Sequence, residues 1–353
     1  MGIHHLHKIL KKYSPNSYRE VPLTHYAFKK VAIDVSLYMF KYKTIFGEDK
    51  WLTAFVSLIC CLRRNEIHCV FLFDSKAPPE KLQEQKDRRE QRQKIKDKSI
   101  QLEKDFEIYT NTGLKSELLI ETCKQINKKN NRLLIKEESF DEKIIIELIN
   151  KLKLQTISIG KEDFDLAKQL FDILSIPYHQ ATTEAEATCA YLCKENMVYG
   201  VMSEDTDVLA YGSPKFITKI NITRENCIEI DLKQILKDLE MTYNQFRDMC
   251  IMCGTDYNKN IPKVGPQKAY DLIKEYKTIE NIENNTKYDT SILKYKRSRE
   301  LFSFSENYFT NKIYCCGIPD YKELQKFLFQ NNCRIDISYV KHSFKPKEIE
   351  FLD

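Results

Sequence analysis

Four short apolar runs stand out from a chain whose remaining text is charged or amphipathic. They are KKVAID, ending at Asp34; HCVFLFD, ending at Asp74; LQTISIG, ending at Gly160; and MVYGVMSED, ending at Asp205. Runs of this length and residue type predict buried strands. Helix-favouring text lies between them, so the pattern predicts an α/β domain with a central, mostly parallel sheet flanked by helices. Ligands of such sheets sit beyond the carboxyl ends of the strands. That rule brings Asp34, Asp74 and Asp205 to one rim.

The helical text has its own pattern. EKLQEQKDRREQRQKIKDKSIQLEKDF, from Glu80, is almost free of apolar periodicity but rich in strong helix formers. Residues 81–98 carry eight Lys/Arg against four Asp/Glu, a locally basic stretch. GLKSELLIETCKQINKKNN and DEKIIIELINKL predict two further helices within 106–154. EDFDLAKQLFDILSIP predicts an amphipathic helix that stops before Pro177, and the C-terminal third is mostly helical.

Charge and cysteine content narrow the class. The 353 residues carry 56 Lys+Arg against 51 Asp+Glu, a net charge of +5 that permits a nucleic-acid partner without requiring one. The longest apolar run, AFVSLICCL, is too short to span a bilayer, so no membrane association is expected. The N-terminal text alternates apolar and basic residues and has no signal-peptide core. The twelve cysteines fall in apolar text such as LICCLRR, with no regular framework. This predicts a soluble intracellular protein with reduced thiols, in nucleus or cytoplasm. Cys250 and Cys253 form a C-x-x-C without a second pair, read as small apolar residues on a helix rather than a zinc site.

Acidic residues carry the chemistry. TTEAEATCAYLC adds Glu184 and Glu186 at a helix start capped by Thr182 or Thr183. SEDTDVLAYG adds Asp207, and CGTDYN adds Asp256. Each alone reads as a helix-dipole partner or a solvated turn. Together on one rim they repel: two charges about 4 Å apart cost on the order of 4 kcal/mol at an effective dielectric of roughly 20. Oxygen-only ligands select hard divalent ions, Mg²⁺ or Mn²⁺. Two such ions form a clamp suited to phosphodiester hydrolysis. Glu204 reads as a neighbour of this set rather than a ligand.

MGIHHLHKIL, KKVAIDVSLYMF, FLFDSKAPPEK, TTEAEATCAYLC, SEDTDVLAYGSP and CGTDYNKNIPKVGPQKAYDLI follow one another in that order. Together they resemble the XPG-type structure-specific nucleases, most closely the flap endonucleases, a group with compact members in large DNA viruses. The resemblance covers roughly 1–100 and 160–280. It implies a PIN-like nuclease core, with an N-terminal region over 1–104 and a helical cap or arch over 105–154. An internal region over 155–260, a helix–two-turn–helix over 250–285 and a helical region over 286–353 complete one catalytic domain. It implies that Asp34, Asp74, Glu184, Glu186, Asp205, Asp207 and Asp256 bind two Mg²⁺ ions, with Mn²⁺ as the substitute. It implies cleavage of 5′ flaps near single-strand/double-strand junctions, with 5′→3′ exonuclease activity, in replication, repair and recombination.

Further roles follow from matching positions. Lys81 and Arg88, seven apart and so on one helix face, occupy the family's catalytic Lys and Arg positions; Arg89 follows as a DNA contact. Phe40 stands where the family stacks a base on Tyr, with Tyr38 as a substitute and a plain core aromatic as the alternative reading of either. Gly2 matches a terminus that lies near the junction. IPKVGPQKAYDLI resembles the element that grips duplex phosphates, with Lys263, Gly265 and Lys268 as contacts and a monovalent-cation site beside them. Lys263 stands where the family has Gly. The text between Asp74 and Glu184 is longer than is usual in flap endonucleases. The C-terminus lacks the motif that binds sliding clamps, so the expected partner is junction DNA bound by a monomer. A 5′ exonuclease or four-way-junction resolvase, and a non-catalytic DNA-end scaffold, are the competing readings.

Overall fold

The computed structural model describes residues 2–129, 142–303 and 312–345. Seven strands form one sheet: β1 (Tyr18–Pro22), β2 (Lys30–Asp34), β3 (His68–Phe73), β4 (Tyr178–Gln180), β5 (Gly200–Met202), β6 (Lys215–Asn221) and β7 (Asn226–Asp231). Their order is β1-β7-β6-β5-β2-β3-β4. The pairings from β6 through β5, β2 and β3 to β4 are parallel; β6 with β7 and β7 with β1 are antiparallel. The mostly parallel α/β architecture expected from the sequence is the one found.

Strand alternation divides the core in two. Ala32, Val70, Leu72, Val201 and Phe216 enter the cluster on one face of the sheet. Val31, Ile33, Phe71, Phe73, Met202 and Ile217 enter the cluster on the other. The period of two is what a sheet covered by helices on both faces requires. On the second face Phe171, from the helix Lys161–Ile173, stacks on Phe71 with ring centres 4.3 Å apart. Burying each such ring stabilises the fold by about 1.5–3 kcal/mol.

Two strand expectations need correction. LQTISIG is not a strand. The helix Glu142–Gln155 unwinds there through turns, with Thr156 N–H donating to Lys153 O (3.0 Å) and Ile157 N–H to Leu154 O (3.4 Å). Its apolar text serves packing instead: Ile159 lies against the second core cluster. The place beside β3 is taken by Tyr178–Gln180, a half-exposed edge strand with little apolar signal. MVYGVMSED shrinks to Gly200–Met202, and the residues after it turn to present acids.

The charged text from Leu82 to Thr112 is one 31-residue helix, roughly 46 Å long at 1.5 Å per residue. Gly113, at φ +75°, ends it in the left-handed region, its N–H donating to Tyr109 O (2.8 Å). The helices Glu117–Lys129 and Glu142–Gln155 pack against it around Leu102, Leu119, Ile145 and Ile149. This third, small core makes the three helices one packed unit. Residues 130, 131 and 141 of the two expected helices lie outside the described residues.

Beyond the sheet, the helices Tyr243–Cys253 and Pro266–Tyr276 flank the turn at 254–265. Cys250 and Cys253 are buried in the core cluster as small apolar residues. The helices Tyr321–Gln330 and Ile337–Phe344 complete the second core cluster through Leu324, Phe327, Val340 and Phe344. No described helix is long and apolar enough to cross a membrane.

Candidate active site

The acids converge because the parallel strands end on them. Asp34 closes β2 and caps the helix Val35–Phe46, its Oδ1 accepting from Leu37 N–H at 3.3 Å. Asp74 follows β3 and accepts from the Ala185 N–H (2.8 Å), which ties it to the start of the helix Ala185–Lys194. Glu184 is the N-cap residue of that helix and Glu186 lies in its first turn. After β5 the chain turns sharply: Asp205 N–H donates to Ser203 Oγ (3.0 Å) and Asp207 N–H to Asp205 Oδ1 (2.9 Å). Asp256 arrives from the turn after Tyr243–Cys253.

Five of these carboxyls are buried: Asp34, Glu184, Glu186, Asp205 and Asp207. Burial pushes the proton affinities of Asp34, Glu186, Asp205 and Asp207 above the ordinary carboxylate range. Neighbouring anions push further: Asp74 on Asp34, Asp205 on both Glu186 and Asp207, and Asp256 on Asp205. Oxygens of Glu186, Asp205 and Asp207 lie within 4.8 Å of one another. Asp207 Oδ1 is buried and accepts no hydrogen bond among the described residues. An orphaned buried anion beside two more is a cost of several kcal/mol unless a cation completes the site. The donor set, all oxygen, fits a hard divalent ion.

Lys81 reaches into this cluster. Its Nζ contacts Glu184 Oε1 and lies 3.2 Å from Asp256 Oδ2. Burial pulls the ammonium down, but Glu184, Glu186 and Asp256 outweigh it and hold the group well above the ordinary lysine value. Arg88, on the same helical stretch, donates from Nη2 to Asp256 Oδ1 at 2.9 Å and pairs with Glu84. Both cations therefore rest on Asp256.

The sequence missed the support behind Glu184. Tyr257 donates to Glu184 Oε2, Tyr211 bonds to Tyr257, and Tyr211 also lies 3.4 Å from Glu184 Oε2. Tyr257 adjoins Asp256 in CGTDYN, a signal that could have been read; nothing in VLAYG marks Tyr211. Glu204 points elsewhere, to Lys41 Nζ at 2.5 Å, as a neighbour rather than a member of the cluster.

The remaining predicted residues surround the acids. Gly2 lies directly on them. At φ +82°, a Cβ there would come within 1.9 Å of Asp205 Oδ1 and 2.7 Å of Asp207 Oδ1, so only glycine fits. Phe40 is half-buried on Val35–Phe46, whereas Tyr38 is wholly buried. Tyr38 cannot stack a base; of its two readings the structure supports the core aromatic. Arg89 is exposed on the arch helix. Lys263, Gly265 and Lys268 are exposed around the N-terminus of Pro266–Tyr276, with Lys268 Nζ 4.8 Å from the Tyr288 ring centre. Lys263 adopts φ 65°, the conformation a glycine would take without cost. A Cβ at Gly265 would meet nothing within 4 Å, leaving room for close approach to the backbone there.

This sheet, with acids on one rim and Lys81 and Arg88 of the charged helical stretch reaching into them, defines an α/β core with a candidate metal centre. Family models for the XPG N-terminal domain and the XPG I-region match residues 1–95 and 175–256. Over 330 residues the chain is 36% identical to a RAD2-like endonuclease of Invertebrate iridescent virus 3, covering 86% of this chain and 85% of that one. It is 31% identical over 299 residues to flap endonuclease 1 of Encephalitozoon cuniculi, covering 81% and 76%. The chain belongs to the XPG family of nucleases, enzymes that hydrolyse phosphodiester bonds. Solved structures share the fold. The catalytic core of Rad2 in complex with a DNA substrate gives a TM-score of 0.62 at 18% identity, covering 97% of this chain and 98% of that one. Flap endonuclease-1 from Methanococcus jannaschii gives 0.60 at 20%, covering 95% and 96%. Human GEN1 in complex with Holliday junction DNA gives 0.63 at 18%, covering 97% and 76%.

Proposed function

We propose that this chain is a Mg²⁺-dependent, structure-specific DNA endonuclease that cuts 5′ flaps near single-strand/double-strand junctions and trims 5′ ends. The observation that carries the reading is the Glu186–Asp205–Asp207 cluster, with its orphaned Asp207 oxygen, facing Lys81 and Arg88. Asp34, Asp74, Glu184, Glu186, Asp205, Asp207 and Asp256 would hold two divalent ions, which supply an activated water and charge neutralisation. The protein's own groups do the positioning. Asp256 and Glu184 keep Lys81 charged and aimed inward. Arg88 and Lys81 then transfer from Asp256 to the scissile phosphate and stabilise its developing charge. Lys263, Gly265 and Lys268 lie at a helix N-terminus suited to duplex phosphates and to a monovalent cation. Arg89 and Phe40 border the path of the single strand, and Gly2 lies at the junction end.

A second reading within the family, a four-way-junction resolvase or a plain 5′ exonuclease, draws support from the arch, whose two added helices carry a core of their own. The fold shared with human GEN1 is compatible with it. One experiment separates the readings: initial rates with Mg²⁺ on end-labelled 5′ flaps, blunt duplexes and four-way junctions. The flap is expected to be cut fastest; paired symmetric nicks in the junction at a higher rate would establish the resolvase. Asp207→Ala is expected to lower cleavage by at least 10³-fold, in line with loss of a metal ligand, while flap binding by gel shift persists. No cleavage of any substrate by the wild type would overturn the catalytic reading.

A further inference from the structure

The short helix Tyr295–Phe302 lies outside both matched family segments and contributes no acid to the metal cluster. Yet it touches the supports of both partners in the Lys81–Glu184 contact. Its last residue, Phe302, is wholly buried and packs edge-on against Tyr211 and Tyr257, with ring centres 5.1 and 5.2 Å away. Those are the two tyrosines that hold Glu184. Near its start, Arg297 donates from Nε to Glu80 Oε1 at 2.8 Å. Glu80 immediately precedes Lys81 in the one-turn 3₁₀ helix Pro79–Lys81, so this contact fixes the backbone that carries the lysine. Arg297 also reaches Glu300 at 2.9 Å, which holds its guanidinium along the helix.

The helix is itself anchored. Arg299 donates to both carboxyl oxygens of Asp248 (2.7 and 2.5 Å) and to both of Glu280 (2.6 and 2.9 Å). Asp248 is buried in Tyr243–Cys253, the helix that leads into the turn carrying Asp256 and Lys263. Glu280 lies in the helix Ile279–Asn285, which follows the same element. Arg299 is thus fixed to the candidate duplex-gripping element, while Phe302 and Arg297 face the catalytic side.

We infer that the helix Tyr295–Phe302 is a bracket, in which Arg297 (through Glu80) and Phe302 (through Tyr257 and Tyr211) act as positioning residues that set the placement of Lys81 against Glu184. Reacting geometries tolerate little error: a displacement of about 1 Å can cost on the order of 10²-fold in rate. Glu80 and Arg297 are partly exposed and lie outside the metal cluster, so their contact is dispensable for folding yet able to shift the lysine.

The inference rests on the endonuclease reading, and its test is a double-mutant cycle on a 5′-flap substrate with Mg²⁺. Glu80→Gln and Arg297→Gln are each expected to lower kcat about tenfold, leaving KM and Tm near wild type. The double variant is expected to lose no more than either single, because both remove one contact. Tyr257→Phe, which removes only the hydroxyl, is expected to lower kcat similarly and to raise the Mg²⁺ concentration needed for half-maximal rate. Singles that cleave at the wild-type rate, or a double whose loss is the product of the two, would overturn the bracket while an active wild type leaves the endonuclease reading intact. An inactive wild type would overturn both.

Discussion

Lys263, proposed above as a phosphate contact, sets a side chain against its own backbone. It occupies the left-handed region at φ 65°, which costs a non-glycine residue about 1–2 kcal/mol. Replacing it by glycine relieves that cost but adds unfolded-state entropy worth about 0.4–1 kcal/mol. The net effect of Lys263→Gly is therefore a small stabilisation, about 0.5 kcal/mol, measurable as a rightward shift of the urea midpoint. Affinity for duplex DNA should move the other way, with the slope of log K against log salt falling by about one. Equal salt slopes for variant and wild type would mean that Lys263 does not touch a phosphate. Gly2 poses the converse case: there the residue is glycine because Asp205 and Asp207 leave no room for a side chain.

Among the elements, β7 carries an ion network remote from the acids. Glu229 is fully buried, bonded to Arg19 across the strand pair, to Tyr26 and, at 3.6 Å, to Lys215. Burial pushes its carboxyl up, but Arg19, Lys215 and Tyr26 outweigh it and hold the group below the ordinary glutamate value of 4.5. The folded state thus binds this proton less readily than the unfolded chain. The stabilisation from Glu229 is fully present above pH 4.5 and is lost as pH falls through the folded value. Glu229→Gln should lower Tm at pH 7 and lose less of it than wild type on acidification below 4.5. Parallel Tm profiles for the two proteins would show that the network does not set this acid response. The long charged helix shows the opposite design: most of it is exposed, and among the described residues four buried side chains, with partly buried neighbours such as Phe106 and Leu148, secure its partners.

At the scale of the molecule, a net charge of +5 conceals a strong internal division. The candidate ligand acids are gathered on the sheet rim, most of them buried, while eight Lys/Arg fall within 81–98 and Lys259 and Lys263 stand in the turn before Pro266. A DNA strand crossing from turn to arch would meet cations at both ends and divalent ions between. Affinity for a flap should therefore fall by at least tenfold between 50 and 200 mM salt, as release of counterions from several phosphates requires. Fluorescence anisotropy in Ca²⁺, with no cleavage, measures it; a flat response would remove the arch and the turn from the interface.

The sequence by itself determined the α/β class, the parallel core and the identities of the clustered acids. Strand ends in a parallel sheet share one rim, so KKVAID and HCVFLFD carried Asp34 and Asp74 to it, and MVYGVMSED carried Asp205, without knowledge of packing. Four strands escaped the reading: the edge strands Tyr18–Pro22 and Tyr178–Gln180 are half exposed and lack an apolar run, and Lys215–Asn221 and Asn226–Asp231 interleave Lys, Thr, Asn and Glu with their apolar residues. LQTISIG misled for the converse reason: apolar residues that pack beside a sheet look like those within it. Only the tertiary structure decided what lies behind the acids. Tyr211 and Tyr257 bond Glu184, Phe302 packs on both of their rings and Arg297 bonds Glu80 beside Lys81, all from segments far apart in the chain, and no local period or motif records such contacts. The pattern of a strand is written in consecutive residues; the brace of an active site exists only once distant segments have packed.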